Sequence, residues 1–316
     1  MKLAFITTRD KGPQGDLLEV SILHGLRHIM GSSCIDFPRK KVMYHDWSYT
    51  PKESLHGRGF TLYTTPLEDI SEKDRNFNGL DAVLYGVSNM YGETNYPEID
   101  NLVSNSNIFY LDGHDLYGDA PHKGVVNGEL IITNQRRNCF KRELLVEENT
   151  VWPTGFGIPK ERVRDFNFSA KKNLHQKTAP HDSLFKAVED LGGSRAHHIF
   201  NNEEEYYDDL ASSWFGLTCK KGGWDCLRHY EIIAAGSLLL FKDYNEKPPL
   251  CSPQQLPCFS YSSPAELENL FNSLIINNKP TKEYMEMLFL QREWLWNHGT
   301  TEARALHILK KINERL

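Results

Sequence analysis

Between Lys220 and Phe241 the chain reads KKGGWDCLRHYEIIAAGSLLLF, and its polar residues are of the types that hold a phosphorylated ligand. Lys221, Gly222, Gly223, Trp224 and Asp225 form a turn ahead of a helical run that Gly236 stops. Small residues before a helix let backbone approach a ligand, and the unpaired N–H groups with the helix dipole attract an anion. Arg228 and Glu231 stand three apart and share one helix face near that end. They offer a cation for a diphosphate and a carboxylate able to accept from ribose hydroxyls. Taken alone, an Arg and a Glu at this spacing also describe a surface ion pair, and two glycines a tight turn. The run IIAAGSLLLF is too apolar for a surface helix, so the element packs deep against a sheet with its polar residues at a cleft. The ligand this chemistry asks for is a nucleotide.

The elements that must position this turn read as α/β throughout. KLAFITT is a strand that stops at RDKGPQGD, where Asp16 and Glu19 have capping-box spacing for the helix LLEVSILHGLRHIM. CIDFPRKKVMY, DAVLYGVS and NIFYLDG are further strands, with GFTLYTT as another. After a short amphipathic stretch in CFKRELL, Pro153, Gly155, Gly157 and Pro159 crowd together and break regular structure. The domain boundary is placed there, giving an N-terminal domain over 1–155 and a C-terminal domain over 156–316. In the second, HDSLFKAVEDLGG is a helix, RAHHIF a strand, and EEEYYDDLASSWFGLTC a helix running into a strand. KEYMEMLFLQREWLWNHG and TEARALHILKKINERL form a helical tail, with Trp294 and Trp296 packing it against the body. The expected fold is therefore two Rossmann-like α/β domains facing a central cleft.

Bulk composition narrows the function. A length of 316 residues suits two domains, and 40% hydrophobic with 25% charged residues is ordinary for a soluble protein. A net charge of -6 gives no pull toward DNA or anionic lipid. The first apolar run ends in charge and reads as a buried strand, not a signal peptide, and no segment approaches a membrane span, so a cytoplasmic protein is expected. Six cysteines never come closer than seven positions, which disfavours structural zinc and leaves free buried thiols. His24 and His28 are four apart without the HExxH glutamate and read as an exposed pair. GPQG is neither a dinucleotide fingerprint nor a Walker loop; Gly15 and Asp16 open a helix at the cleft wall.

The stretch SSWFGLTCKKGGWDCLRHYEIIAAGSLLLF resembles the donor-site segment of GT-B glycosyltransferases, nearest to the spore-coat CgeB-like and exostosin-like branches and the family 1/4-type donor domain. CFKRELL followed by WPTGFGIP resembles their interdomain passage. The resemblance covers about forty residues closely and the N-terminal half in architecture only. It implies that Gly222 and Gly223 approach a donor diphosphate, that Arg228 contacts phosphate, and that Glu231 holds the ribose or sugar. Lys221, Trp224 and Asp225 complete the donor set. Many retaining members have a further Glu eight positions before the second; Gly223 stands there, so stereochemistry stays open. The fold implies no catalytic metal and no cofactor beyond the nucleotide-sugar co-substrate, because a helix N-terminus and basic side chains neutralise the leaving diphosphate.

An inverting member needs a general base in the N-terminal domain. YLDGHDLYGD supplies Asp112, His114 and Asp115 after a strand, where open α/β sheets place ligands; a turn with a solvated His fits the same residues. His56 and Arg58 in ESLHGRGF could bind phosphate or acceptor, or simply mark a glycine turn. Two other functions are carried. One is a noncatalytic nucleotide-sugar-binding module. The other is a nucleic-acid modifier with Arg136, Arg137, Lys141 and Arg142 as a phosphate groove, although Glu143, Glu147 and Glu148 make a solvated helix face of that strip. Nucleic acid then enters only as an acceptor.

Overall fold

The computed structural model describes residues 1–7, 17–48, 50–87, 99, 101–115, 123–126, 129–132, 138–146, 150–177 and 199–316. In the first half, strand β1 (Leu3–Ile6) precedes the first helix, α1 (Leu17–Met30), and β2 (Cys34–Phe37), β3 (Ala82–Val87) and β4 (Ile108–Asp112) follow it in chain order. A short antiparallel pair, β5 (Lys123–Val126) and β6 (Glu129–Ile132), precedes β7 (Cys139–Lys141) and β8 (Val151–Pro153). Six of these strands form one sheet in the order β2-β1-β3-β4-β7-β8, with every pair parallel. The runs LAFI and AVLYGV are buried along their whole length, as a parallel sheet covered on both faces requires.

The second half repeats the arrangement with β9 (Asn173–His175), α2 (Glu203–Ala211), β10 (Ser213–Thr218), α3 (Leu227–Ala235), β11 (Leu238–Lys242) and β12 (Phe259–Tyr261). Its sheet runs β12-β11-β10-β9, again all parallel. Asn202 caps α2 by accepting the Glu205 N–H, and three glutamates fill the first turn. Gly236 ends α3 in the left-handed region at φ 86°. Helix α3 can lie flush on the sheet because β10 carries Gly216, whose missing Cβ would stand 2.1 Å from Ile232 Cγ2. The chain closes with α4 (Pro264–Leu274), the hairpin β13 (Ile275–Ile276) and β14 (Lys279–Pro280), α5 (Lys282–Trp294) and α6 (Thr301–Asn313). Among the described residues no helix is long and apolar enough to cross a membrane.

Four readings from the sequence change. GFTLYTT is no strand: Thr61–Tyr63 is a single helical turn, and Thr61 sits at φ 65°, outside the extended region a ladder needs. CFK is strand β7, and VWP, read as irregular, is β8, where Pro153 is tolerated because β8 is an edge strand. His24 is fully buried and not part of an exposed pair; its Nδ1 lies 2.9 Å from Thr301 Oγ1 and its ring stacks on His28. The helix HDSLFKAVEDLGG, the GPQG turn and the first four residues of RAHHIF lie outside the described residues, while Ile199 and Phe200 are in no strand.

Helix α6 returns across the molecule to pack on α1. Gly25 makes the crossing tight: a Cβ there would stand 1.9 Å from the Thr301 carbonyl oxygen. Ser21 Oγ accepts the Gly157 N–H at 2.8 Å and donates to the Gly157 carbonyl at 3.1 Å, and Ile158 pairs with Thr300 as a parallel bridge. The passage between the sheets is thereby clamped between α1 and α6. One apolar cluster runs from β1 and α1 through α6 to α3 and β11.

Candidate functional site

The turn from Cys219 to Cys226 leaves the carboxyl end of β10 and opens α3. His229 pins it from below. Its Nε2 lies 2.9 Å from the Trp224 carbonyl, which only accepts, so Nε2 carries the proton and Nδ1 accepts from the Thr218 hydroxyl at 2.9 Å. Burial lowers the imidazole pKa to about 4, which keeps it neutral. Trp224 is buried beneath Lys220, whose Nζ lies 5.1 Å from the ring centroid. Cys226 is extended and caps α3 with no side-chain hydrogen bond. Gly223, Trp224 and Asp225 are buried, Lys221 and Gly222 are exposed, and Cys226, Leu227 and Arg228 lie between. The corner therefore opens on one side while the rest is covered.

What covers it comes from the carboxyl ends of β4 and β7. A Cβ on Gly222 would stand 2.3 Å from Asp115 Oδ2, and one on Gly223 2.4 Å from Glu143 Oε1. Glu143 is fully buried and accepts the N–H of Asp225 at 3.0 Å and that of Trp224. The anion drawn to these amides is thus a carboxylate of the chain itself, its pKa pushed up by burial and partly pulled back by Arg142. Arg142 ties the two sides together. Its Nη1 donates to the Asp225 carbonyl at 2.8 Å, and its Nη2 donates to the Gly113 carbonyl at 2.9 Å and to Asp115. The Asp225 carboxylate accepts from the Phe156 N–H and the Tyr230 hydroxyl, both at 2.8 Å, so it serves the passage between the sheets.

Asp112, the last residue of β4, is fully buried between two donors. One oxygen lies 2.7 Å from Lys141 Nζ; the other accepts the His114 N–H at 3.0 Å and lies 2.6 Å from His114 Nδ1. Burial pushes its pKa up, but the His114 hydrogen bonds and the Lys141 charge overcome this and hold it far below the usual carboxylate range. Asp112 is therefore a fixed anion that orients an imidazole, not a proton acceptor in its own right.

Arg228 and Glu231 face a different group. Glu231 is 8% exposed, which removes the surface ion pair from consideration. Its Oε1 accepts from the Thr61 hydroxyl at 2.5 Å and its Oε2 from the Tyr206 hydroxyl at 2.6 Å. Burial, reinforced by the Glu231 charge, raises the pKa of both Tyr206 and Tyr207 well above the normal phenol value. Arg228 pairs with Tyr206, and its Nη1 is buried without an acceptor.

Asp112, His114 and Asp115 are thus brought to the same corner as Gly222 and Gly223. His56 is exposed and Arg58 half-buried on the segment leading to Thr61, and it is Thr61 that reaches Glu231. Gly15, Asp16, Arg136 and Arg137 lie outside the described residues. Lys141 and Arg142 are buried and ion-paired, which corrects both the phosphate groove and the solvated helix face. Among the described residues, one set able to hold a metal ion is His28, Glu161 and Glu302, remote from this corner and shared with Lys160, 3.8 Å from the same Glu302 oxygen. A groove of about 670 Å³ lies at the far end of α3, lined by Arg164, Asp208, Ser212 and Ala235, and contains none of these groups. Sequence reasoning missed Thr61 and Tyr206, and assigned Arg142 and Glu143 to a phosphate groove or a solvated face instead of to this corner. For the last two a signal existed, since charged residues directly after a short apolar run are what the carboxyl end of a parallel strand presents.

No family model matches the chain, and no curated protein matches it in sequence. Solved structures match it in fold. AviGT4, described as a glycosyltransferase involved in avilamycin A biosynthesis, aligns over 99% of this chain and 97% of its own with a TM-score of 0.53 at 11% identity. The N-terminal domain of Candida albicans trehalose-6-phosphate phosphatase aligns over 100% of this chain and 97% of its own, with a TM-score of 0.45 at 9% identity. The first likeness, with two parallel sheets meeting through their carboxyl ends and a helical C-terminus, defines the fold as GT-B-like: two Rossmann-like domains.

Proposed function

We propose that this chain is a glycosyltransferase that moves a sugar from a nucleotide-sugar donor to a hydroxyl acceptor. The observation that carries the reading is Arg228 Nη1, a buried guanidinium donor without an acceptor, beside Glu231 at a half-open helix N-terminus. A phosphate oxygen is the acceptor such a group calls for. In this reading Arg228 and the first amides of α3 take the donor diphosphate, with Lys221 and the turn at Gly222 and Gly223 beside it, and Glu231 takes the ribose. Neutralisation of the leaving diphosphate falls to Arg228 and the helix N-terminus, with no metal or cofactor assigned. His114, held by Asp112, is the general base for the acceptor hydroxyl. Asp115 and Arg142 set the distance between base and donor turn.

The acceptor is a saccharide, a protein or a modified nucleobase, the only place the reading leaves for nucleic acid. The motif GGWDCLRHYEIIAAG points to the CgeB-like and exostosin-like branches, and the units divide at 155/156. The six free thiols suit a reducing cytoplasm. Glu143 already fills the amides of the turn, so the diphosphate is left to Arg228 and the first amides of α3 both in the transferase and in the alternative, a nucleotide-sugar-binding module without turnover.

A thermal-shift screen against nucleotide sugars, followed by turnover of whichever donor raises the melting temperature, separates the two. Transfer or donor hydrolysis is expected in the wild type, with R228A slower by about 100-fold or more and folded. Unchanged turnover in R228A and E231Q rejects the site; binding without turnover selects the module.

A further inference from the structure

Thr61 is a β-branched residue at φ 65°, a backbone region such residues adopt only where the surroundings over-determine it. The surroundings here are three groups from the other half of the chain. The Thr61 N–H donates to Glu203 Oε1 at 2.7 Å, its hydroxyl donates to Glu231 Oε1 at 2.5 Å, and the Tyr207 hydroxyl lies 3.1 Å from the same Oγ1. Glu203 is held in turn by Arg162 at 3.5 Å. The residue is fully buried, so this hydroxyl is committed to these partners.

A carboxylate has about four acceptor positions, two on each oxygen. Thr61 takes one on Oε1 and Tyr206 one on Oε2. With one donor fixed on each oxygen, the carboxylate plane of Glu231 cannot rotate, and its remaining lone pairs keep one direction. A planar acceptor of fixed direction is what a pair of vicinal hydroxyls needs for two simultaneous hydrogen bonds.

We propose that Thr61 is a positioning residue for the nucleotide: from the N-terminal half it orients the Glu231 carboxylate, so that recognition of the donor ribose diol depends on the two halves being closed on each other. This rests on the reading of Glu231 as the ribose-binding carboxylate. Thr61 contributes no contact to the diphosphate, which is left to Arg228, so its removal changes discrimination for the diol and not binding in general.

The test uses the full chain and calorimetric binding of UDP, GDP and ADP beside their 2′,3′-dideoxy counterparts. For whichever base binds, T61V is expected to lose about tenfold in affinity for the ribonucleotide. The dideoxy nucleotide is expected to bind T61V as it binds wild type. T61S, which keeps the hydroxyl, is expected within about twofold of wild type, and Y206F, which frees the other oxygen and also removes a partner of Arg228, to lose affinity for both forms but more for the ribonucleotide. Melting temperatures identify any variant that fails to fold, in which case T61S and Y206F carry the comparison. Wild-type ribonucleotide affinity in T61V and Y206F, or equal losses for ribo and dideoxy forms, overturns the positioning role alone. A wild type that binds none of the six nucleotides overturns the nucleotide reading and this inference with it.

Discussion

His229 holds the turn before α3 through a neutral imidazole, and neutrality has a pH limit. Its pKa in the folded protein is about 4 because burial disfavours the cation, against an ordinary value of 6.5; His24, buried under α6, is lowered to about 3 for the same reason. Between those values the unfolded chain binds protons that the folded chain refuses. The stabilisation is therefore fully present above pH 6.5 and is lost as pH falls through about 4, to an extent on the order of 3 kcal/mol for His229. Thermal melting at pH 7.5, 5.5 and 4.5 should show a falling midpoint in the wild type. H229Q should start lower and fall less; a parallel fall in both excludes His229 as the source. The residues of the corner were legible in the sequence as types: Arg228, Glu231, Asp112 and His114 are polar groups stranded beside apolar runs. Their partners were not. Thr61 and Glu231 are separated by 170 positions, and no local pattern encodes which hydroxyl meets which carboxylate.

Two adjacent glycines separate the demands on the turn. Neither adopts a positive φ, so what each provides is space for a neighbour. Asp115 beside Gly222 has a side chain 56% exposed and can swing aside, whereas Glu143 beside Gly223 is fully buried and hydrogen-bonded to the turn. G222A should therefore cost little, below about 0.5 kcal/mol, while G223A should cost about 1–3 kcal/mol by overpacking, read as the shift in a urea midpoint. Equal costs would mean that Glu143 relaxes as freely as Asp115. The elements that shape the turn were readable from pattern, because the apolar runs Ile232–Ala235 and Leu238–Phe241, parted by Gly236 and Ser237, read as a buried helix and a buried strand. Where the reading failed, a local signal competed: GFTLYTT has strand composition, but the contacts of Thr61 with the opposite half hold it in a turn. VWP has turn composition, yet pairing with β7 makes it an edge strand.

At the scale of the molecule the two halves are joined by the 154–158 passage and by α6 lying on α1, beside the side-chain contacts of Arg142, Glu143 and Thr61. Gly25 is the closest point of that crossing, with a backbone carbonyl where its side chain would be. G25A is expected to destabilise the whole protein by about 1–3 kcal/mol in one cooperative transition. An early transition confined to α6 would mean that the helix is a detachable appendage. The sequence marked the tail as amphipathic but could not say which surface its apolar stripe meets, since several bare faces of similar character compete for it. The return of α6 also sets an order of events during synthesis. Residues 301–313 follow the second sheet in the chain, so the face of α1 around Gly25 stays bare while that sheet is being translated. The first unit can acquire its strands early, yet it reaches its final packing only after the strands of the second sheet have been made.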